Sequence, residues 1–147
     1  MKKIWLMAAL LVAGMMAFVS CGKDDKEPTF SSSDLVGTWV TIEEIYVVKM
    51  AGMTMVDEKT IYAVEDQESK MTFKADGTFV DEEDGSTGTW TLNGNKLKMV
   101  YSDEEYGVME FKILKLDGSK AILEMNEVEE FMGVKTEVYS KTTHQKI

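Results

Sequence analysis

The stretch Asp34-Leu35-Val36-Gly37-Thr38-Trp39 decides the fold, because a polar linker ends there and strand-forming sequence begins. Glycine lets the chain pass close to another segment, and a tryptophan two residues later supplies a large apolar plug. Past Trp39 come short runs of Val, Ile, Thr, Tyr, Phe and Met, broken repeatedly by Gly, Asn and Asp. That rhythm predicts an all-β meander closing on itself, with Gly37 and Trp39 opening its first strand.

Leu35 to Lys49 is heavily β-branched but changes parity: Trp39, Ile45 and Val47 fall on one side, Ile42, Tyr46 and Val48 on the other. Either both faces are buried or a bulge near Glu43-Glu44 swaps them. Ala51-Gly52 reads as a turn, Met53 to Val64 as a less regular returning strand, and Gln67 to Lys70 as a polar break. Asp76-Gly77, Asn93-Gly94-Asn95 and Asp117-Gly118 read as hairpin turns. The arms around them alternate, with Leu97, Met99 and Tyr101 against Lys96 and Lys98. Met109, Phe111 and Ile113 are expected to face inward on one arm of the third hairpin, and Ala121, Leu123 and Met125 on the other. Val134 to Lys141 is the expected last strand, Thr142 to Ile147 a tail, and no segment reads as a helix. The prediction is an up-and-down antiparallel β-barrel of about eight strands, which removes free sheet edges.

Ahead of this body, Lys2-Lys3 precedes an uninterrupted apolar run from Ile4 to Val19, then Ser20 and Cys21. So short a run at the N-terminus fits a secretory signal better than a membrane span. Phe18-Val19-Ser20-Cys21 resembles a bacterial lipobox, although Phe18 is bulkier than the usual Leu. The resemblance implies cleavage before Cys21 and acylation of that residue, making the membrane a partner through its acyl chains. Gly22-Lys23-Asp24-Asp25-Lys26-Glu27 resembles the export tag of Bacteroidetes surface lipoproteins and also suits a solvated tether. The expected organisation is a signal peptide over 1–20, lipidated cysteine and tether over 21–33, and a barrel over 34–147. The expected address is the outer membrane, facing outward, with a periplasm-facing orientation as the alternative.

Composition narrows the function. The net charge is −10, and loss of Lys2 and Lys3 with the leader makes the remainder more acidic still. There is no Arg, so nucleic acid is not an expected partner. Cys21 is the sole cysteine, which removes internal disulfides and Cys-based zinc sites, and His144, the sole histidine, lies in the expected tail, out of reach of a Ser-His or Cys-His catalytic set. The acidic groups at Asp81–Asp84, Asp103–Glu105 and Glu127–Glu130 match no calcium-loop spacing. Neither an enzyme nor a cofactor or metal is expected.

Three stretches carry a family resemblance. Gly37-Thr38-Trp39 is similar to the opening of lipocalins. Phe73-Lys74-Ala75-Asp76-Gly77-Thr78-Phe79 and Gly88-Thr89-Trp90-Thr91-Leu92-Asn93-Gly94-Asn95-Lys96-Leu97 resemble the lipocalin-like domains of Bacteroidetes lipoproteins. The resemblance implies a small barrel with an apolar cavity. The sequence departs from true lipocalins in having no Arg to stack on Trp39 and little room for a C-terminal helix.

Met71, Phe73, Met99, Met109, Phe111 and Met125 are the candidate cavity lining, since thioethers adapt to varied apolar ligands. The same residues would also fill a solid core. Gly37, Trp39 and Trp90 are expected to close the barrel. A small apolar ligand is the leading expected partner. A solid-core module binding a protein or glycan through Tyr106 and Phe131 is the alternative.

Overall fold

The computed structural model describes residues 26–66 and 70–147. The expected leader, Cys21 and residues 22–25 of the charged tether lie outside the described residues, as do residues 67–69 of the polar break. A short helix α1 (Ser32–Leu35) precedes the strands β1 (Gly37–Met50), β2 (Met53–Ile61), β3 (Lys70–Phe73), β4 (Thr78–Asp81) and β5 (Thr87–Asn93). They are followed by β6 (Lys96–Tyr101), β7 (Val108–Leu116), β8 (Lys120–Phe131) and β9 (Val134–Lys146), and one 3-10 turn (Val64–Asp66) lies between β2 and β3. Every pairing is antiparallel. The strands β1-β3-β4-β5-β6-β7-β8-β9 form a ring that β1 and β9 close, and β2 is a ninth strand outside it.

β1 has two partners along one edge. Gly37–Val40 pairs with β3, whereas Glu43–Met50 pairs with β2, and β9 runs along the opposite edge of both halves. The register against β9 shifts between Thr41 and Glu43. Ile42 is the extra residue, so Trp39 and Thr41 share the inner face with Glu44, Tyr46, Val48 and Met50. The parity change in the sequence is this bulge.

One end of the ring is sealed. Trp39 donates its indole N–H to the Leu35 carbonyl at 2.7 Å, which pins α1 across that end. Trp90 donates to the carbonyls of Lys74 and Thr78 at 3.1 and 3.0 Å, tying β5 to the β3–β4 hairpin. Both tryptophans thus bury a large ring and still satisfy its one donor. Gly37 has φ +137°, and a Cβ there would meet the Lys146 side chain at 2.2 Å. Phe79, Leu97 and Ile113 are fully buried between these plugs. Phe73 meets Trp90 edge-on, with centroids 5.8 Å apart.

Three expectations are corrected here. Ser32–Leu35 is a helical turn, with Ser31 as its N-cap. Phe30 packs on the core and its N–H donates to Gly94 O at 3.1 Å, so the packed body reaches back past Asp34. Thr142–Lys146 is strand rather than tail, because it pairs with β8 on one side and β1 on the other. Its polar sequence hid it.

At the other end, β1, β2, β8 and β9 outgrow the ring. β8 pairs with β7 only as far as Glu124, and β1 with β3 only as far as Val40. Beyond those residues the order β2-β1-β9-β8 continues as a four-stranded flap. From Glu44 to Met50 the flap extends roughly 20 Å at about 3.3 Å per residue. Its two turns have left-handed backbone at both central residues, Ala51-Gly52 and Met132-Gly133, as a tight hairpin of this twist requires. The turns are joined by Ala51 N–H donating to Lys135 O at 2.9 Å. Among the described residues, no helix is long and apolar enough to cross a membrane.

Candidate ligand-binding cavity

The ring is not filled to its open end. Above the sealed floor lies a cavity of about 220 Å³, floored by Leu35 and Trp39 and walled by Met71, Phe73, Met99 and Phe111. Ala121 and Leu123 complete the apolar wall on β8. The rest of its lining is polar: Thr41, Thr142 and His144 on β1 and β9, and Asp81 and Tyr101 at the ends of β4 and β6. A volume of 220 Å³ is below the roughly 300–1,000 Å³ of sites that enclose drug-sized ligands. It suits a short apolar chain or one end of a larger molecule.

Of the candidates named from sequence, Met71, Phe73, Met99 and Phe111 line this cavity. Met109 and Met125 do not. Met109 pairs with Met99 on the inner face but sits at the top of β7, and Met125 is past the point where β8 leaves β7. Alternation placed their faces correctly, but it says nothing about where two strands part. Gly37, Trp39 and Trp90 belong to the sealed end. The missing Arg has a substitute: Lys146 places its ammonium 5.2 Å from the Trp39 ring centroid and donates to Asp34 O at 3.3 Å. Lys146 was inside the expected tail, so only the β1–β9 register reveals it.

His144 was also assigned to the tail, yet it faces inward. Its Nδ1 is 3.2 Å from Thr41 Oγ1 and its Nε2 2.8 Å from Thr142 Oγ1. Burial lowers its pKa to about 4, so the ring is neutral at pH 7. Asp81 accepts the Glu83 N–H at 3.0 Å, and burial, with Asp84 and Glu83 nearby, pushes its carboxyl up. Tyr101 packs edge-on against Phe79 at 4.9 Å; burial first, then Asp81, pushes its phenol up to about 12. It is therefore a neutral hydroxyl in use. No sequence signal distinguished these polar residues, since isolated Thr, Tyr, Asp and His carry no motif.

Tyr106 is exposed at the rim, donating to Asp84 at 2.9 Å, and Phe131 is exposed at the flap tip. Asp84–Thr87 of the β4–β5 loop and Ser102, Asp103, Glu104 and Tyr106 of the β6–β7 loop border a broad polar hollow open to solvent, well away from Phe131. No three His, Cys, Asp or Glu side chains converge on a metal-sized site among the described residues.

A family model described as a lipocalin-like domain matches residues 35–120, more than half of the chain. Strands β8 and β9, which close the ring, lie almost entirely outside that match. Two crystal structures are similar. One is a lipocalin-like protein from Bacteroides uniformis, 21% identical, covering 78% of this chain and 99% of its own, with TM-score 0.47. The other is an uncharacterized protein from Bacteroides eggerthii, 15% identical, covering 72% and 98%, with TM-score 0.40. No curated protein matches the chain.

Proposed function

The chain belongs to the lipocalin-like domain family, and from that premise we propose a membrane-anchored binding protein that sequesters a small apolar ligand at the cell envelope. The lipocalin-like barrel suits a small-ligand binding module, and the observation that carries the finer reading is the cavity. It is apolar on its floor and most of its wall, sealed by Trp39 at one end, with Thr41, Thr142 and His144 on the β1–β9 side and Asp81 and Tyr101 at the strand ends near its mouth. A ligand gains affinity by burying apolar surface at about 25 cal/mol per Å². Thr142, Tyr101 and Asp81 would fix the orientation of its polar end. The reading is non-enzymatic. Asp81 accepts a backbone N–H in the acidic loop, and both nitrogens of His144 are taken up by threonine hydroxyls, with no carboxylate among the described residues bonded to the ring to make it a base.

The anchor rests on sequence. The basic start, the apolar run and Cys21 support a lipoprotein of the outer membrane, and the charged segment after Cys21 supports an outward-facing position. Cys21→Ala should release the protein from membranes and abolish labelled-acyl incorporation; undiminished labelling would refute the anchor.

Native mass spectrometry of protein purified gently from cells tests the binding reading. A retained adduct of an apolar molecule, lost in Ala121→Phe, is the expected result, because Ala121 lines the cavity at 2% exposure and a larger side chain would fill it. A clean mass, still clean after incubation with a lipid extract, would overturn it. It would favour a second reading, a module that contacts a macromolecule through the flap tip, where Met53, Phe131 and Met132 are exposed by 65, 77 and 87%.

A further inference from the structure

Resting on the ligand-binding reading above, we infer that the preferred ligand is a cationic amphiphile, whose apolar chain enters the barrel and whose ammonium group stays at the mouth beside Asp81. Asp81 is the one formally charged residue in the cavity lining. His144 adds no positive charge there, because it is neutral at pH 7 and its two nitrogens are held by Thr41 and Thr142.

The flap repeats this balance over a larger surface. Leu123 on β8 pairs with Thr142 on β9, which pairs with Glu44 on β1, so the inner wall of the cavity and the inner face of the flap are one continuous surface. Rising from that row, Met125, Ser140, Tyr46 and Glu58 form the next. Glu127, Val138, Val48 and Val56 follow, then Glu129, Thr136, Met50 and Met53. This face mixes Met, Val and Tyr with glutamates and holds no Lys. The flap lysines all take the other face: Lys49, Lys59, Lys135 and Lys141 alternate with the inward residues. There Lys59 pairs with Glu43 at 3.0 Å, and Lys135 with Glu137.

An apolar surface studded with carboxylates is complementary to a molecule that is both apolar and cationic. An anionic amphiphile of the same length would bring its carboxylate to Asp81 and to the glutamate wall with no ammonium or guanidinium to pair it. Partial removal of that carboxylate from water would then go uncompensated. Tyr46 and Tyr101 supply aromatic faces that favour a cation and do nothing for an anion.

Three ligands with one chain and three head groups separate the possibilities: octylamine, octanol and octanoate, titrated by calorimetry into the purified full chain at pH 7 and low salt. Octylamine is expected to bind at least about tenfold more tightly than octanoate, the ratio of one charge-assisted hydrogen bond, with octanol between them. Asp81→Asn keeps an oxygen for the Glu83 N–H and should bring octylamine down to the level of octanol. Glu127→Gln with Glu129→Gln, on exposed strand, should lower octylamine affinity by roughly twofold to fivefold and flatten its salt dependence. Octanoate binding as tightly as octylamine, with octanol also bound, would overturn the charge inference and leave the ligand-binding reading standing. Failure of all three to bind would overturn both.

Discussion

Ala121 and Leu123 expose 2 and 7% of their surface, while Phe131, on the same face of the same strand, exposes 77%. The contrast between the sealed half of the barrel and the flap is therefore not one of composition. Below Glu124, β8 has a partner on each edge, and the opposite side of the ring covers its inner face. Above it, only β9 pairs with β8, and the β7 edge has gone. Closure, more than hydrophobicity, decides which apolar residues become core. The open edge of the flap carries Glu127, Glu129 and Glu130, charges that discourage edge-to-edge association.

The largest effects should come from the sealed half. Phe79→Ala should destabilise by about 3–5 kcal/mol in denaturant unfolding, since a fully buried ring leaves a cavity that the ring of strands cannot collapse around. An unchanged midpoint would mean the core is looser than described. Gly88→Ala comes next, at about 3 kcal/mol or more. Its Cβ would meet Val100 O at 2.1 Å and the Phe79 ring at 2.7 Å, and the carbonyl belongs to the β5–β6 ladder.

His144 tests the boundary between the halves. Its folded pKa is depressed to about 4, so the unfolded chain takes up a proton first as pH falls. The stabilisation is present in full only above the unfolded pKa of about 6.5 and is lost as pH falls from there toward 4, amounting to about 3 kcal/mol. His144→Gln should flatten thermal stability across that window relative to wild type; parallel pH profiles would show that the imidazole is not buried.

Flap residues should matter least for stability. Met53→Ser and Phe131→Ser should each shift stability by no more than about 0.5 kcal/mol, because both side chains stay mostly in water on folding. In hydrogen exchange, amides of 127–131 and of β2 should exchange through local opening, well before those of β5 and β6. Uniform protection would erase the distinction between the regions.

Much of the sealed half was legible. Asp76-Gly77 and Asp117-Gly118 announce themselves because the aspartates accept the N–H groups of Thr78 and of Ser119 and Lys120, and the glycines take positive φ. Strict alternation located Leu97, Met99 and Ile113, and the parity change in β1 located a bulge. The cavity was legible only in part. Its apolar residues follow the alternation, but Thr142 and His144 face inward as polar residues, so the pattern stops at Lys141 although the strand continues. The flap was legible in its pieces, the Ala51-Gly52 turn and the strands starting at Met53 and Val134, but not in its assembly. That one strand pairs with β3 along its first turn of ladder and β2 along the rest is a non-local choice, and the mixed Met and Glu of β2 match neither a buried nor a solvated face.

The central claim is that a small molecule lodges between the Trp39 floor and the flap. Methyl NMR on the methionines measures this directly, because Met71 and Met99 line the cavity while Met132 is at the exposed flap tip. On adding octylamine, nuclear Overhauser contacts from its chain to the methyl groups of Met71 and Met99, with Met132 unchanged, are the predicted result. Contacts confined to Met132, or none to Met71 and Met99 at saturating ligand, would contradict the account.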